Sequence, residues 1–355
     1  MFISDYFMNA VTSILNKNYL NKDDIIFLLK LNEEKGIGKL FCKADQIRQK
    51  YCGNDVHLRG IIELSNYCEQ DCLYCGLRRG NKSLKRYRMS KNEILDTARR
   101  IYDAGLKTIV LQSGEDSWFS KADLSEIISS IKNEMDVAIT LSLGERTADE
   151  YEEWRKAGAD RYLLKHETAN PRLYSMYHQR QKLTDRIKNL LQLKSLGYQV
   201  GSGNLIGLPH QTTEDIADDI LICKELNVDM ASFSPFIPSP NTPYENKNAA
   251  DPHLVFKTIA VTRIVLKDVH LPVTTALSTL YPSAREKALK VGANVIMPNF
   301  TPEPYRNYYL IYPNKNRIES VPDEMISSVK KLVNSLGRNI GVTRGDSLKQ
   351  NRISV

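Results

Sequence analysis

The sequence predicts an α/β fold: a (βα)8 TIM barrel preceded by an N-terminal helical extension. From residue 56 onward, short β-rich runs alternate with helical segments. Eight such units of roughly 30 residues each fit a barrel. Several helices end in a glycine just before the next strand, which is typical of αβ loops. A doubly wound sheet is the alternative, because alternation of strands and helices alone does not separate the two folds.

Length and composition indicate an ordinary globular chain. It has 355 residues, of which 42% are hydrophobic and 26% charged, enough for one large barrel or two modest domains. The net charge of +7 is mild for this length and points to neither nucleic acid nor membrane partners. Six cysteines do not make a disulfide scaffold.

Residues 1–53 predict a helical extension. Phe7, Val11 and Ile14 fall at helical spacing, and Asn21 is a candidate N-cap for a second helix. We expect Cys42 and Cys52, which lie in this region, to be buried small hydrophobes. The N-terminus has no basic region followed by a long apolar run, and no stretch approaches the ~20 apolar residues of a membrane span. We therefore expect a cytoplasmic protein.

Residues 54–337 form the predicted barrel. The predicted strands are 56–65, 108–112, 137–143, 161–166, 199–206, 230–236, 272–276 and 294–297. The predicted helices are 91–104, 121–135, 148–157, 184–196, 213–226, 252–267, 281–291 and 323–336. Pro322 and Gly337 flank the last helix, the expected asymmetry of proline at the start and glycine past the end. The tail, residues 338–355, is polar and expected to fray.

A C-x3-C-x2-C motif, formed by Cys68, Cys72 and Cys75, follows the first predicted strand. Thiolates are soft ligands that favour iron–sulfur clusters, zinc or copper(I). A structural zinc site or a fully ligated cubane normally takes four protein ligands, so three cysteines leave one metal corner open. A zinc knuckle with a distant fourth ligand is the alternative, but knuckles usually carry two C-x2-C pairs. The motif favours an open iron–sulfur cluster.

The other predicted strands also end in polar residues. In a barrel, the C-terminal ends of the strands converge on the active face. The polar strand ends include residues 112–116, 142–145, 166–170, 203–209, 235–243, 274–279 and 297–301. Because the cysteine loop follows the first predicted strand, the pattern favours one active site shared by these strand ends.

Two other motifs are incomplete, which argues against a dinucleotide site and a zinc helix. Gly201 and Gly203 begin like a dinucleotide fingerprint, but the third glycine, Gly207, comes one residue late. His166 and Glu167 are not followed by a second histidine at the spacing of a zinc helix. A basic run follows the cysteines, and we expect it to be mainly a solvated loop. The alternative is electrostatic: the cations lie near an anionic cluster, an anionic substrate or a protein partner. It contains Arg78, Arg79, Lys82, Lys85, Arg86 and Arg88.

Longer motifs resemble the HydE family, the radical S-adenosylmethionine (SAM) maturases of [FeFe]-hydrogenase. They include Cys72-Leu-Tyr-Cys-Gly-Leu-Arg-Arg79, Leu84-Lys-Arg-Tyr-Arg-Met89, Gln112-Ser-Gly-Glu-Asp116 and the stretches 159–171, 293–299, 302–306 and 310–313. The likeness covers about residues 50 to 337. It implies a [4Fe-4S] cluster on the three cysteines, with SAM chelating the free iron and yielding a 5′-deoxyadenosyl radical in a closed cavity.

The resemblance also implies roles for individual residues. It assigns cofactor contacts to Tyr74 beside the adenine, to Glu115 and Glu167, and to Arg186 on the SAM carboxylate. It assigns the substrate cavity to Arg161, Met230, Thr274, Thr275, Met297, Tyr309 and Tyr312. Adjacent strand residues point to opposite faces, so Thr274 and Thr275 can both face inward only with a local distortion.

Two positions depart from the family. Many relatives carry a second cysteine-rich site near the C-terminus, and residues 312–325 contain no cysteine here, so we predict a single cluster. Lys165 replaces the family's arginine before His166, which weakens the case for a bidentate contact there.

The resemblance implies partners as well: the tyrosine-lyase maturase, the scaffold GTPase, and a reductant such as ferredoxin or flavodoxin. The substrate would be a small sulfur-bearing iron carbonyl/cyanide precursor of the diiron subsite. Two alternatives remain: a radical SAM mutase like methylornithine synthase, and a non-catalytic iron–sulfur or zinc module that binds a partner. Biotin synthase is disfavoured, because its auxiliary cluster needs strand cysteines that are absent.

Overall fold

Parallel strands line the centre of the molecule, and helices cover them. The fold comes from a computed structural model that describes residues 2–303, 305–315 and 322–349. The strands are β1 (Asp55–Leu58), β2 (Gly60–Ser65), β3 (Thr108–Ser113), β4 (Ala138–Ser142), β5 (Arg161–Leu163), β6 (Gln199–Ile206), β7 (Met230–Pro235), β8 (Pro272–Val273), β9 (Val295–Ile296) and β10 (Asn339–Ile340). The helices are α1 (Phe2–Leu15), α2 (Lys22–Leu29), α3 (Glu34–Cys52), α4 (Lys91–Asp103), α5 (Lys121–Glu134), α6 (Ala148–Lys156), α7 (Pro171–Tyr177), α8 (Leu183–Ser195), α9 (Thr213–Glu225), α10 (Pro252–Leu266), α11 (Thr275–Leu280), α12 (Ala284–Lys290), α13 (Tyr305–Tyr308) and α14 (Pro322–Ser335).

The strands close into a ring. One sheet runs β2-β3-β4-β5-β6-β7 and the other β10-β1-β9-β8. Parallel bridges join the sheets at Ile61 with Asn299 and at Met230 with His270. β1 and β2 are one stretch interrupted only at Arg59, and β10 belongs to the tail beside β1. The merged strand and β3 to β9 therefore give the ring eight positions, and the predicted barrel with its helical extension is confirmed.

Local sequence fixes where the helices begin and end. Ser90, Ser120, Thr147 and Thr212 each start a helix with a reciprocal capping box, in which an acidic side chain three residues later returns the hydrogen bond. Gly105, Gly158, Gly197 and Gly292 follow helices with positive φ, as predicted. Helices α7, α11 and α13 and strand β10 were not predicted, and strands β5, β8 and β9 are shorter than expected. These caps hold the strand ends, and with them the loops of the active face, in fixed positions.

The N-terminal helices pack on the outside of the barrel, against α9 and α10. Ion pairs from Lys22 to Asp218 and from Lys30 to Glu214, each 2.7 Å, join α2 to α9. The expectation that Cys42 is buried is wrong, because its side chain is exposed on α3. In the part of the chain that the structure describes, no helix is long and apolar enough to cross a membrane.

The C-terminal tail covers the N-terminal end of the barrel. Strand β10 pairs with β1, and the carbonyl of Arg344 accepts hydrogen bonds from Thr108 Oγ1 at 2.8 Å and Arg161 Nη2 at 2.7 Å. Asp346 Oδ1 pairs with Arg161 Nη2 at 2.7 Å. The expectation of a frayed tail is therefore wrong as far as residue 349; residues 350–355 lie outside the described part. Polar residues suit this position because the barrel end presents buried guanidinium groups that need partners.

Candidate active site

The three cysteines converge on a cavity at the C-terminal end of the barrel. Cys68, Cys72 and Cys75 follow β2 and line a space of about 340 Å³, within the range of small-molecule sites. Burial raises the pKa of Cys68 to about 11 and that of Cys75 to about 12. Near neutral pH these thiols keep their protons unless a metal cation displaces them.

Arg86 holds the cysteine loop from inside. Its guanidinium donates hydrogen bonds to the carbonyls of Leu77 at 2.9 Å, Arg78 at 2.8 Å and Asn81 at 3.2 Å. Asn66 adds a second anchor, with Nδ2 donating to the carbonyl of Lys85 at 2.8 Å. Arg86 is therefore part of the loop's framework, which corrects the prediction of a solvated side chain at this position.

The rest of the basic run divides into paired and free cations. Arg78 pairs with Asp71 at 2.8 Å, and Arg88 pairs with Asp116. Arg79 and Lys82 are exposed and have no side-chain partner among the described residues. These two exposed cations are the ones available to a protein partner, one of the alternatives to a solvated loop.

Two glycines permit the close approach of other segments to the loop. A Cβ added at Gly76 would stand 2.1 Å from the carbonyl oxygen of Leu310 and 2.7 Å from Ser239 Oγ. One added at Gly114 would stand 2.2 Å from the carbonyl oxygen of Tyr67. Both contacts are far inside van der Waals distance, so these positions accept glycine alone without backbone movement.

Glu167 carries the clearest sign of a missing ligand. It has φ 66°, a strained conformation for a residue with a side chain, and its amide donates to the Gly203 carbonyl at 3.0 Å. Its Oε2 is buried and accepts no hydrogen bond from any described residue. A buried carboxylate oxygen without a donor costs free energy, so it indicates a site for a ligand bearing an N–H or O–H group.

Arg186 lies in the same cavity wall and is already engaged. Its Nε donates to Glu145 Oε1 at 2.5 Å, Nη1 to the Lys165 carbonyl at 3.0 Å, and Nη2 to Gln181 Oε1 at 3.0 Å. Glu115 lies 3.7 Å from Nη2. A ligand carboxylate at Arg186 would have to share its charge with these acids.

Five of the residues assigned to the substrate cavity line it. They are Thr274, Thr275, Met297, Tyr309 and Tyr312, and the cofactor candidates Tyr74, Glu115, Glu167 and Arg186 also line it. The two threonines share the face because β8 stops at Val273 and Thr274 becomes the N-cap of α11. The local distortion that adjacent inward-facing residues require is thus a strand-to-helix transition.

Arg161 and Met230 do not lie at this cavity. Each is the first residue of its strand, so each lies at the end of the barrel opposite the cysteines. They line a small space there with Arg59 and His270, and Arg161 bonds the C-terminal tail. Their assignment to the cysteine-side cavity is therefore corrected.

Sequence reasoning missed Glu63, Lys315 and His178, which also line the cavity. Glu63 and Lys315 form a buried ion pair, and Asn299 Nδ2 donates to Glu63 Oε2 at 3.1 Å. The inward position of Glu63 on β2 is the one signal that could have marked it. Among the described residues, no group of three His, Cys, Asp or Glu side chains is arranged to hold a single metal ion.

Comparison with known proteins agrees with this geometry. The family model described as the radical SAM superfamily matches residues 62–222. The "[FeFe] hydrogenase maturase subunit HydE" of Thermotoga maritima is 50% identical over 313 residues, which cover 88% of this chain and 90% of that protein. The 3-methylornithine synthase of Methanosarcina acetivorans is 29% identical over 283 residues, 78% of this chain and 79% of that protein.

Among solved structures, the fold is similar to that of methylornithine synthase. The TM-score is 0.81 with 23% identity, covering 97% of this chain and 99% of that one. It is also similar to the maturase HydG from Carboxydothermus hydrogenoformans, with TM-score 0.82 and 22% identity over 99% of this chain and 82% of that one. At these identities the likeness concerns the fold alone.

Proposed function

Because this chain belongs to the radical SAM superfamily and, within it, to the HydE family of [FeFe]-hydrogenase maturases, we propose that Cys68, Cys72 and Cys75 bind a [4Fe-4S] cluster. SAM would bind beside it in the same cavity. The observation that carries the proposal is the convergence of three thiols and an unsatisfied Glu167 carboxylate oxygen on one cavity. Three thiolates leave one iron corner open for a ligand.

The residues present fit SAM as well as the cluster. Glu167 offers its free carboxylate oxygen to an amino or hydroxyl group of the ligand, and Arg186 offers a guanidinium to a carboxylate. Tyr74 offers a ring at the cavity wall to an adenine. Glu115 lines the same cavity and accepts hydrogen bonds from Gln70 and Gln181, which hold it in place as the remaining proposed cofactor contact.

The bound cluster would supply one electron for the cleavage of SAM to methionine and a 5′-deoxyadenosyl radical. The protein's own part is to orient the ligands and exclude water from a reactive species. Tyr309 and Tyr312 line the cavity together with the barrel wall and the cysteine loop.

We propose that the substrate is a small sulfur-bearing iron carbonyl/cyanide precursor of the diiron subsite. Such a complex is anionic, and the cavity holds a lysine that can meet it. Lys165 Nζ donates to the Asn204 carbonyl at 3.2 Å and Ser234 Oγ at 3.3 Å, and has no carboxylate within ion-pair distance among the described residues. Burial lowers the pKa of Lys165, and the nearby Glu167 charge opposes that effect.

The proposed partners follow from the maturation reaction. They are the tyrosine-lyase maturase that makes the precursor, the scaffold GTPase that receives the product, and a ferredoxin or flavodoxin that donates the electron. A mutase reaction like that of 3-methylornithine synthase is the second candidate, supported by the 29% identity with that enzyme.

The first experiment asks whether the site cleaves SAM. The protein is reconstituted anaerobically with iron and sulfide, reduced with dithionite, and assayed for 5′-deoxyadenosine. We expect cleavage by the wild type, none by Cys72→Ala, and wild-type cleavage by Cys42→Ala, whose thiol lies on the surface of α3. Absence of cleavage by a wild-type protein with full cluster content would contradict the proposal.

The second experiment separates the two substrate candidates. The reconstituted protein is added to an apo-hydrogenase with the tyrosine-lyase maturase and the scaffold GTPase, and hydrogen evolution is measured. In parallel, lysine is supplied as substrate and methylornithine is sought by mass spectrometry. Hydrogen evolution that requires this protein supports the maturase; methylornithine without hydrogen evolution supports the mutase.

A further inference from the structure

His178 contacts the middle cysteine of the motif. Its Nδ1 lies 3.2 Å from Cys72 Sγ, and its Nε2 lies 3.1 Å from the hydroxyl oxygen of Tyr74. His178 is only 4% exposed and caps the C-terminal end of α7. One ring thus bridges a predicted cluster ligand and a predicted adenine contact.

The surroundings fix the ring in one place. Tyr174 stacks on it, with ring centroids 4.7 Å apart and an interplanar angle of 24°, and Tyr74 meets it edge-on at 5.6 Å. The two ring nitrogens thus face different polar partners, a sulfur at Nδ1 and a phenol hydroxyl at Nε2. An imidazole with its proton on Nδ1 donates at that nitrogen and accepts at Nε2.

The chemistry of the neighbours decides which nitrogen carries the proton. A metal-bound thiolate has lone pairs and no proton, so Nδ1 can approach Cys72 Sγ favourably only as an N–H donor. With the proton on Nδ1, Nε2 has a free lone pair, and the Tyr74 hydroxyl at 3.1 Å is placed to donate to it. The result is a directed chain from Tyr74 through His178 to Cys72.

We propose that His178 is a positioning residue that donates a hydrogen bond from Nδ1 to the Cys72 sulfur of the loaded cluster, with Tyr74 holding the required tautomer. The inference rests on the cluster proposed above. Hydrogen bonds to cluster sulfurs are among the factors that set the reduction potential. Reduction adds negative charge to the sulfurs, so a donor at Cys72 stabilises the reduced cluster and makes the potential less negative.

The alternative explanation is structural: His178 only packs against Tyr174. Packing alone requires an aromatic ring and no hydrogen bond, so His178→Phe would satisfy it. A hydrogen-bonding role requires a donor at the δ position, which His178→Asn keeps because its Nδ2 occupies about the place of Nδ1. His178→Gln places its donor at the ε position, towards Tyr74. The three variants therefore distinguish a role in packing from a role as hydrogen-bond donor to Cys72.

The experiment measures the midpoint potential of the reconstituted cluster by redox titration followed by EPR, with iron content determined on the same samples. In His178→Phe and His178→Gln we expect the ratio of reduced to oxidised cluster at a fixed potential to fall about tenfold, a shift of about 59 mV to more negative potential. His178→Asn should stay near the wild type. Tyr74→Phe should shift in the same direction as His178→Phe, because it frees the ring to adopt the wrong tautomer.

Pulsed EPR of the reduced cluster gives a second measurement. The wild type should show coupling to an exchangeable proton that is lost in His178→Phe and retained in His178→Asn. Equal potentials in all variants with full iron content would overturn the inference while leaving the cluster proposal intact. If His178→Phe fails to hold iron, then Tyr74→Phe and His178→Asn decide: unchanged potential in Tyr74→Phe would overturn it. Failure of the wild type to bind iron would instead contradict the proposed function.

Discussion

Asp116 accepts two hydrogen bonds from the guanidinium of Arg88, 2.8 Å from Nε and 2.9 Å from Nη2. The same carboxylate accepts the Ser65 hydroxyl at 2.6 Å. Ser65 ends β2, just before the cysteine loop, and Arg88 lies near the end of the basic run that follows the cysteines. One carboxylate on the neighbouring βα loop therefore ties both ends of the cysteine-bearing segment to the barrel.

Asp116→Asn should loosen this tie and lower the free energy of unfolding by about 2 kcal/mol, because hydrogen bonds between charged partners contribute more than neutral ones. The measurement is urea unfolding at pH 7. Asp149→Asn is the matched control, since Asp149 pairs with Lys121 on the surface with its side chain 74% exposed. A change under about 0.5 kcal/mol is expected there. Equal effects of the two substitutions would contradict the assigned role.

The same variant predicts a pH dependence. Burial raises the pKa of Asp116, but the hydrogen bonds from Arg88 and Ser65 outweigh it and hold the pKa below the usual range. A depressed folded-state pKa gives stability that is present above the unfolded pKa of about 3.9 and is lost as pH falls through the folded value. The difference between wild type and Asp116→Asn should be full at pH 7 and shrink below about pH 4.

Glu167→Gln should weaken SAM binding about 10- to 100-fold, because it replaces the unpaired carboxylate with a neutral amide that offers a weaker acceptor. Equilibrium dialysis of the reconstituted protein with labelled SAM measures the Kd. Glu126→Gln is the control, because Glu126 lies on α5 with its side chain 63% exposed. An unchanged Kd in Glu167→Gln would remove Glu167 from the proposed SAM site.

Gly76→Ala should impair cluster assembly. The added methyl would meet the Leu310 carbonyl, so the loop must move and with it Cys75. We expect a loss of stability of about 1–3 kcal/mol and a lower iron content after reconstitution. Gly38→Ala is the control: this helical position in α3 has open space, and alanine there should stabilise the protein by about 0.5–1 kcal/mol. Full iron content in Gly76→Ala would show that the loop tolerates the shift.

The double variant Arg79→Glu, Lys82→Glu should slow SAM cleavage about tenfold when flavodoxin supplies the electron, and should leave the dithionite-driven reaction unchanged. Both residues are exposed cations beside the cysteine loop, and an acidic donor would be attracted to them. The difference should narrow at high ionic strength, because salt screens surface charges. Lys35→Glu with Lys39→Glu, on α3, is the charge-matched control. An equal loss with dithionite would point to damage of the site.

Much of the fold could be predicted because it is written in local patterns. Capping residues such as Ser90 and Thr212 and the glycines after helices mark the units, and the barrel brings their strand ends together. That reasoning predicted that the cysteine loop and residues 166–170 lie at the same end of the barrel. Arg161 and Met230 were assigned to the substrate cavity from the family resemblance, without regard to their positions in the strands. Both begin their strands, and the first residue of a barrel strand lies at the opposite end.

The missed residues depend on contacts that no local pattern records. His178 follows α7, a helix of 7 residues, too short to stand out by periodicity. Glu63 meets Lys315 across 252 positions of sequence. The tail was expected to fray because it is polar, yet its polarity is what buried Arg161 requires. Polar composition predicts a solvated segment only where the fold holds no buried charged group that the segment can bind.

The C-terminal tail has a further consequence, for biosynthesis. Arg59, between β1 and β2, donates to the carbonyl of Gly345, 286 positions later in the chain. Contacts of such long separation form late, since the intervening chain must be ordered first. During translation, the base of the barrel stays unsealed until residue 345 has left the ribosome. In the nascent chain, Arg59 therefore lacks its partner in the C-terminal tail. A polypeptide terminated before the tail would retain the cysteine loop but leave the N-terminal end of the barrel uncovered.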